Sequence, residues 1–154
     1  MAVSIYSKLE QLKKNWLPVL AGCFAGAVTS IVSVYLMCRL FGLDRAMTAS
    51  LLPKSVTTPI ASAVSEGNGG IVSITVAAVI ITGILGNLLA PLLVKLFRIK
   101  DPVAKGLGIG AASHAIGTAK ALEMGETEGA MSGLAIGVCG IITALLALFF
   151  DILL

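Results

Sequence analysis

The chain has 154 residues, 57% of them hydrophobic and only 12% charged, with a formal net charge of +3. A mean hydropathy of +1.01 is more than a soluble domain of this length can bury, so lipid must cover part of the apolar surface. The small net charge, the lack of a basic tract and the 5% aromatic content exclude a nucleic-acid partner, and the length allows one domain, residues 1–154.

The first predicted element is an amphipathic segment over residues 1–16. Ile5, Leu9, Leu12 and Trp16 recur at helical spacing, and Lys8, Lys13 and Lys14 fall off that stripe. This pattern describes a helix lying at the membrane surface and anchored by Trp16; the alternative is a frayed end of the first span. No secretory signal peptide is expected, because the first apolar stretch is too long and lacks a small-residue cleavage site. Charge-free runs then mark three spans: Asn15–Cys38, Gly67–Val94 and Gly129–Phe150. Each exceeds the roughly 20 apolar residues that a helix needs to cross a bilayer. Gly22-x-x-x-Gly26 and Gly133-x-x-x-Gly137 read as small-residue faces for helix packing. Cys23, Cys38 and Cys139 lie in apolar runs without metal-ligand spacing, and read as small core fillers.

Two segments between the spans are interrupted. Asp44–Glu66 breaks at Pro53-Lys54-Ser55 and Asp101–Glu123 breaks around Ala112-Ser113-His114. Proline removes a backbone donor and disfavours helical geometry in the residue before it. Gly106, Gly108, Gly110 and Gly117 loosen the second segment. The two segments also resemble each other. At an offset of 58, Ala46, Ser55, Ala61, Ala63 and Gly67 match Ala104, Ser113, Ala119, Ala121 and Gly125. Each is followed by a long apolar helix, the pattern of an internal repeat. The fold class is therefore all-α: a polytopic membrane helix bundle with two broken or re-entrant segments, multi-pass in the cell (inner) membrane.

Two topologies remain open. If each broken segment crosses the membrane, the residues near Arg39/Arg45 and Lys95–Lys105 share one face. If each is a hairpin, they lie on opposite faces and the repeats are inverted. The hairpin arrangement gathers Lys8, Lys13, Lys14, Lys95, Arg98, Lys100 and Lys105 on one side, and the positive-inside rule leans slightly towards it.

Broken helices at membrane depth must be buried in protein or line a wet cavity, because lipid cannot satisfy freed N–H and C=O groups. Pairs of them point to a transport site. Lys54 lies in an otherwise uncharged stretch, where an ammonium costs on the order of 2.5–3.5 kcal/mol. Ser50, Ser55, Thr57 and Thr58 surround it in sequence, and the start of the second half-helix presents free amides. Ammonium, hydroxyls and a helix N-terminus favour a bound anion; the bland alternative is a Lys snorkelling from a shallow loop. His114, the single histidine, sits at the second break with Ser113, Thr118 and Lys120, as a donor to a carboxylate, a proton carrier, or a satisfied polar residue in a packed bundle. Glu123, Glu126 and Glu128 read as a solvated acidic turn. Gly106-Leu-Gly-Ile-Gly110 lacks the dinucleotide spacing, no metal set is evident, and adjacent Ser113 and His114 make poor nucleophile–base geometry. No catalytic residue, metal or cofactor is expected, and the chain is not expected to be an enzyme.

SLLPKSVTTPIASAVSEGNGG (Ser50–Gly70), TGILGNLLAP (Thr82–Pro91) and DPVAKGLGIGAASHAIGTAKALEMGETEGAMSGLA (Asp101–Ala135) resemble the hallmark stretches of the LrgB/CidB family. The likeness runs from about Tyr6 to the C-terminus, and Glu66-Gly-Asn-Gly-Gly70 departs slightly from the family pattern. It implies an LrgB-like membrane domain truncated at its N-terminus relative to the family, which carries further helices before the region matching Leu9–Trp16. It implies one of two functions. One is antiholin-like control of murein hydrolase export and lysis, together with an LrgA/CidA-type membrane partner. The other is transport of small monocarboxylates such as pyruvate, or glycolate and glycerate as in a related plastid translocator. The expected partners are the lipid bilayer, the organic acid anion, that membrane partner and a second copy of the chain.

Overall fold

The computed structural model describes residues 16–154. The predicted amphipathic segment lies outside the described residues except for Trp16. The helices are α1 (Trp16–Leu40), α2 (Arg45–Leu51), α3 (Thr58–Gly67), α4 (Val72–Leu96), α5 (Pro102–Met124), α6 (Glu126–Ala147) and the short α7 (Phe150–Leu153). Three of them, α1, α4 and α6, are long and apolar enough to cross a bilayer. They match the predicted spans with shifted ends. α6 starts earlier than its charge-free run because Glu126 and Glu128 occupy its first turn, where carboxylates are favoured by the helix dipole. α4 starts later because the chain turns at Gly69, whose φ of 75° suits glycine.

The contacts along α1 fix the direction of every other element. Near its start, Val19 and Cys23 pack with Leu107, Ala111, Ala135 and Cys139. Near its end, Ile31, Val34 and Cys38 pack with Leu52, Val64, Ala147 and Phe150. α6 therefore runs parallel to α1. The first broken segment enters from the face where α1 ends and reaches mid-membrane at Ser55, whose hydroxyl is 2.8 Å from that of Ser30 on α1. It then returns: Val64 is back among Val34 and Cys38, and the Ile71 amide donates to Ser50 Oγ at 2.7 Å.

The second broken segment enters from the opposite face. Its two arms fold together, with Ile109 and Ala121 in one cluster against Ala90 of α4. Lys105 near its start pairs with Glu128 at the start of α6, 3.6 Å apart. Both broken segments are thus re-entrant hairpins inserted from opposite faces. α4 and α6, which follow them, run antiparallel to each other, so the repeat is inverted. The aspartates that open the two segments act alike as N-caps. Asp44 accepts from the Met47 amide and Asp101 from the Ala104 amide, both at 2.8 Å. The return arms are tied to the long helices in equivalent ways, Thr75 Oγ1 to Ser65 Oγ and Thr118 Oγ1 to Ser132 Oγ, both 2.7 Å.

Glycine allows these close approaches. A methyl group at Gly106 would strike the Glu128 carbonyl, and one at Gly110 would strike Ser132. The small-residue face that matters is therefore Gly106-x-x-x-Gly110 against α6. Of the predicted faces, Gly26 does pack closely, an added methyl there lying 3.3 Å from Ala111 Cβ, whereas at Gly22 and Gly137 it meets nothing within 4 Å. The three cysteines are free and buried, as core fillers should be. Outside the bundle, α1, α4 and α6 expose large side chains such as Leu36, Leu88 and Leu145 at 60%, 70% and 58%. On a soluble surface such a belt would be an association patch; on spans of this length it is the lipid-facing surface.

Candidate functional site

The tips of the two hairpins approach one another inside the bundle, where Lys54 and Ser55 of the first and Ala111 and Ala112 of the second line one cavity. In the first, α2 stops at Leu51 and the chain passes through turns to Thr57 before α3 begins. The Lys54 amide bonds to the Leu51 carbonyl at 3.1 Å and the Val56 amide to the Pro53 carbonyl at 3.3 Å, so part of the freed backbone is satisfied within the turn. Thr57 caps α3 without a side-chain bond, and Pro59 stands in the first turn. The amides at the start of α3 thus lie at the break with no side-chain cap.

Lys54 is half-buried. Its Nζ donates to Ser55 Oγ at 3.1 Å, and Ser55 Oγ in turn meets Ser30 Oγ. Among the described residues no carboxylate pairs with Lys54. Lys54 and Ser55 line a cavity of about 810 Å³, with Thr29, Ser30 and Ser33 of α1 on one wall and Ala104, Gly108, Ala111 and Ala112 of α5 on the other. Asp101 stands at one end of the lining.

In the second hairpin a single residue carries the break: His114 has φ 42° and ψ −138° inside α5. This is a conformation that side-chain-bearing residues adopt only under compensation. The compensation is local. His114 Nε2 is 3.0 Å from the Val79 carbonyl, Asn87 Nδ2 donates to the Ile116 carbonyl at 2.8 Å, and Thr118 Oγ1 donates to the His114 carbonyl at 2.9 Å. Ser113 fits against Gly86, where a methyl group would overlap it. Ser113, His114 and Thr118 are all buried, and no buried side-chain N or O among the described residues lacks a partner.

The predicted site residues therefore separate. Lys54 and Ser55 line the cavity, and Thr57 and Thr58 form the start of α3 beside it. Ser113, His114 and Thr118 pack behind it against α4 and α6. Lys120 is not at the break; it makes a 2.7 Å ion pair with Glu123 towards the end of α5. The acidic turn also differs from expectation, since Glu128 is buried at 8% exposure and its charge is met by Lys105. Ser30, Asn87 and Ser132 were missed by sequence reasoning. A lone Ser or Asn in an apolar span carries no periodic signal, and its partner lies in a distant element. Among the described residues no group of three His, Cys, Asp or Glu is placed to hold a metal ion.

The LrgB-like family matches residues 1–152. Curated relatives named "Antiholin-like protein LrgB" include those of Bacillus mycoides (strain KBAB4), 43% identical, and of Bacillus cereus (strain B4264) and Bacillus anthracis (strain CDC 684 / NRRL 3495), each 42% identical. Each match covers 92% of this chain but 62% of the relative, so the chain spans under two thirds of the length of these relatives. No solved structure matches it. With inverted hairpins at the positions of its motifs and a family match over nearly its whole length, the chain belongs to the LrgB-like family of membrane proteins.

Proposed function

We propose that this chain forms the binding core of a secondary carrier for a small monocarboxylate anion in the cell (inner) membrane. The observation that supports it most is the Lys54 ammonium, without a carboxylate partner among the described residues, at the tip of one of two opposed re-entrant hairpins. A charge at this depth is costly without a partner, and opposed broken elements are what a site with alternating access needs. A carboxylate fits the space: Lys54 and Ser55 supply the charge and a hydroxyl, and the start of α3 adds dipole stabilisation. No bond is made or broken, so the role is transport and not catalysis. The test is uptake of labelled pyruvate, lactate and glycolate into proteoliposomes. It uses this chain, and this chain extended by the preceding region of a longer relative. Uptake absent from both for all three acids would overturn the proposal.

The relatives' names favour a second reading, antiholin-like control of lysis through a homo-oligomer or an LrgA/CidA-type membrane partner. It requires an association surface and no specific interior site. Autolysis that is unchanged by Lys54→Met but altered by substitutions on the exposed faces of α1 or α6 would select it.

A further inference from the structure

We propose that the cavity between α1 and the entry arm of α5 is an aqueous vestibule leading to Lys54 from the face where α1 begins. We further infer that this face is cytoplasmic. If the carrier reading holds, on which this last step rests, the structure is the inward-open half of the transport cycle.

The cavity begins at Pro18 and Asp101, both exposed, and follows one face of α1 through Gly22, Gly26 and Thr29 to Ser30 beside the break. Apart from Pro18, Val103 and Leu107, the uncharged residues of its walls are small or hydroxyl-bearing, which leaves room for water. It also contains Lys54, an ammonium with no carboxylate partner among the described residues, which needs water or an anion to be stable at this depth. On the far side the lining ends at Ser33. The next residues on α1, Leu36, Met37 and Leu40, are apolar. Behind the break Leu52 is sealed at 1% exposure in the cluster with Ile31, Val34, Cys38 and Phe150. The path is therefore open towards one face and closed towards the other.

Sidedness follows from charge. The loop from α4 to α5 and the first turn of α5 bring Lys95, Arg98, Lys100 and Lys105 to the open face, whereas Arg39 and Arg45 flank the closed one. The excess of Lys and Arg marks the open face as cytoplasmic. Asp101 at the mouth caps the start of α5 by accepting from the Ala104 amide, and its single charge is outnumbered by the four cations of that face.

The experiment is cysteine labelling with a membrane-impermeant methanethiosulfonate that carries a sulfonate. In the full chain with Cys23, Cys38 and Cys139 replaced by Ala, Gly22→Cys and Gly108→Cys are introduced one at a time. A methyl group at either position meets nothing within 4 Å, so folding is expected to hold. Gly137→Cys, equally open but outside the cavity, is the lipid-facing control, and labelling after denaturation confirms that each thiol is present. Gly22→Cys and Gly108→Cys should label in inside-out vesicles and stay at the Gly137→Cys background in right-side-out vesicles. Labelling from neither side would overturn the vestibule and show lipid or protein filling the groove. Labelling from both sides would overturn the seal, and labelling only in right-side-out vesicles would overturn the orientation. These readouts do not depend on transport, so failure of the carrier reading in the uptake assay remains a separate result.

Discussion

The two hairpins use one topological device and solve its central difficulty in opposite ways. A helix that breaks at membrane depth leaves amides and carbonyls that lipid cannot satisfy. The first hairpin breaks over several residues, keeps a charge there, and borrows a hydroxyl from α1 beside a roomy cavity. The second breaks at one buried residue and meets its polar groups with Val79, Asn87, Ser132 and close glycine contacts. One tip carries a charge and borders the proposed vestibule, the wet side; the other is packed against α4 and α6, the dry side. Under the carrier proposal the difference separates binding from support, with the countercharge for an anion on the first tip and a packed scaffold at the second.

Several measurements sharpen or break this contrast. The largest effect is expected on the dry side. Gly110→Leu drives a side chain into the Ser132 backbone, and overpacking a fitted contact costs roughly 1–3 kcal/mol or more. Thermal unfolding in detergent should show a severely destabilised or unrecoverable protein, while Gly137→Leu stays near the parent. A tolerated Gly110→Leu would mean that the dry hairpin is not rigid.

Next in size is the wet side, where function and not stability should move. Lys54→Met removes a costly charge and keeps an unbranched side chain, so insertion and thermal stability should hold or improve. Carboxylate uptake should be lost, because a desolvated anion needs a cation. Lys54→Arg should be intermediate, the charge being kept in a different shape. Normal uptake by Lys54→Met would make Lys54 a snorkelling residue and move the search for the anion site to His114 and Thr118.

A smaller effect is expected at the strained residue. Both His114→Ala and His114→Gly lose the bond to Val79, but glycine accepts the positive φ. The Gly variant should be the more stable by roughly 1 kcal/mol, the reverse of the helix-interior order. Chemical denaturation of the two variants checks this, and the usual order would mean that the break relaxes elsewhere. Ser30→Ala should lower carboxylate affinity by about 1 kcal/mol, the size of one hydrogen bond, read as a raised KM for uptake at unchanged thermal stability. The smallest effect is expected at Lys120. Its pair with Glu123 is partly solvated, and such pairs are worth under about 1 kcal/mol, so Lys120→Met should leave both uptake and unfolding near the parent.

The residues alone determined the spans, the positions of both breaks and the place of Lys54. These are local properties: hydropathy summed over about 20 residues, proline's missing donor, and a charge in an apolar setting. They also carried the family resemblance and the outline of a repeat. Only the tertiary structure decided that the broken segments return instead of crossing. Hydropathy and charge-free length are the same for a hairpin and a span, and the direction is set by contacts such as Ile71 with Ser50 and Lys105 with Glu128. It also decided that Glu128 is buried, that Lys120 stands away from the break, and that Ser30 joins Ser55. Each depends on a partner remote in sequence, and no periodicity along the chain records which helix will lie beside which.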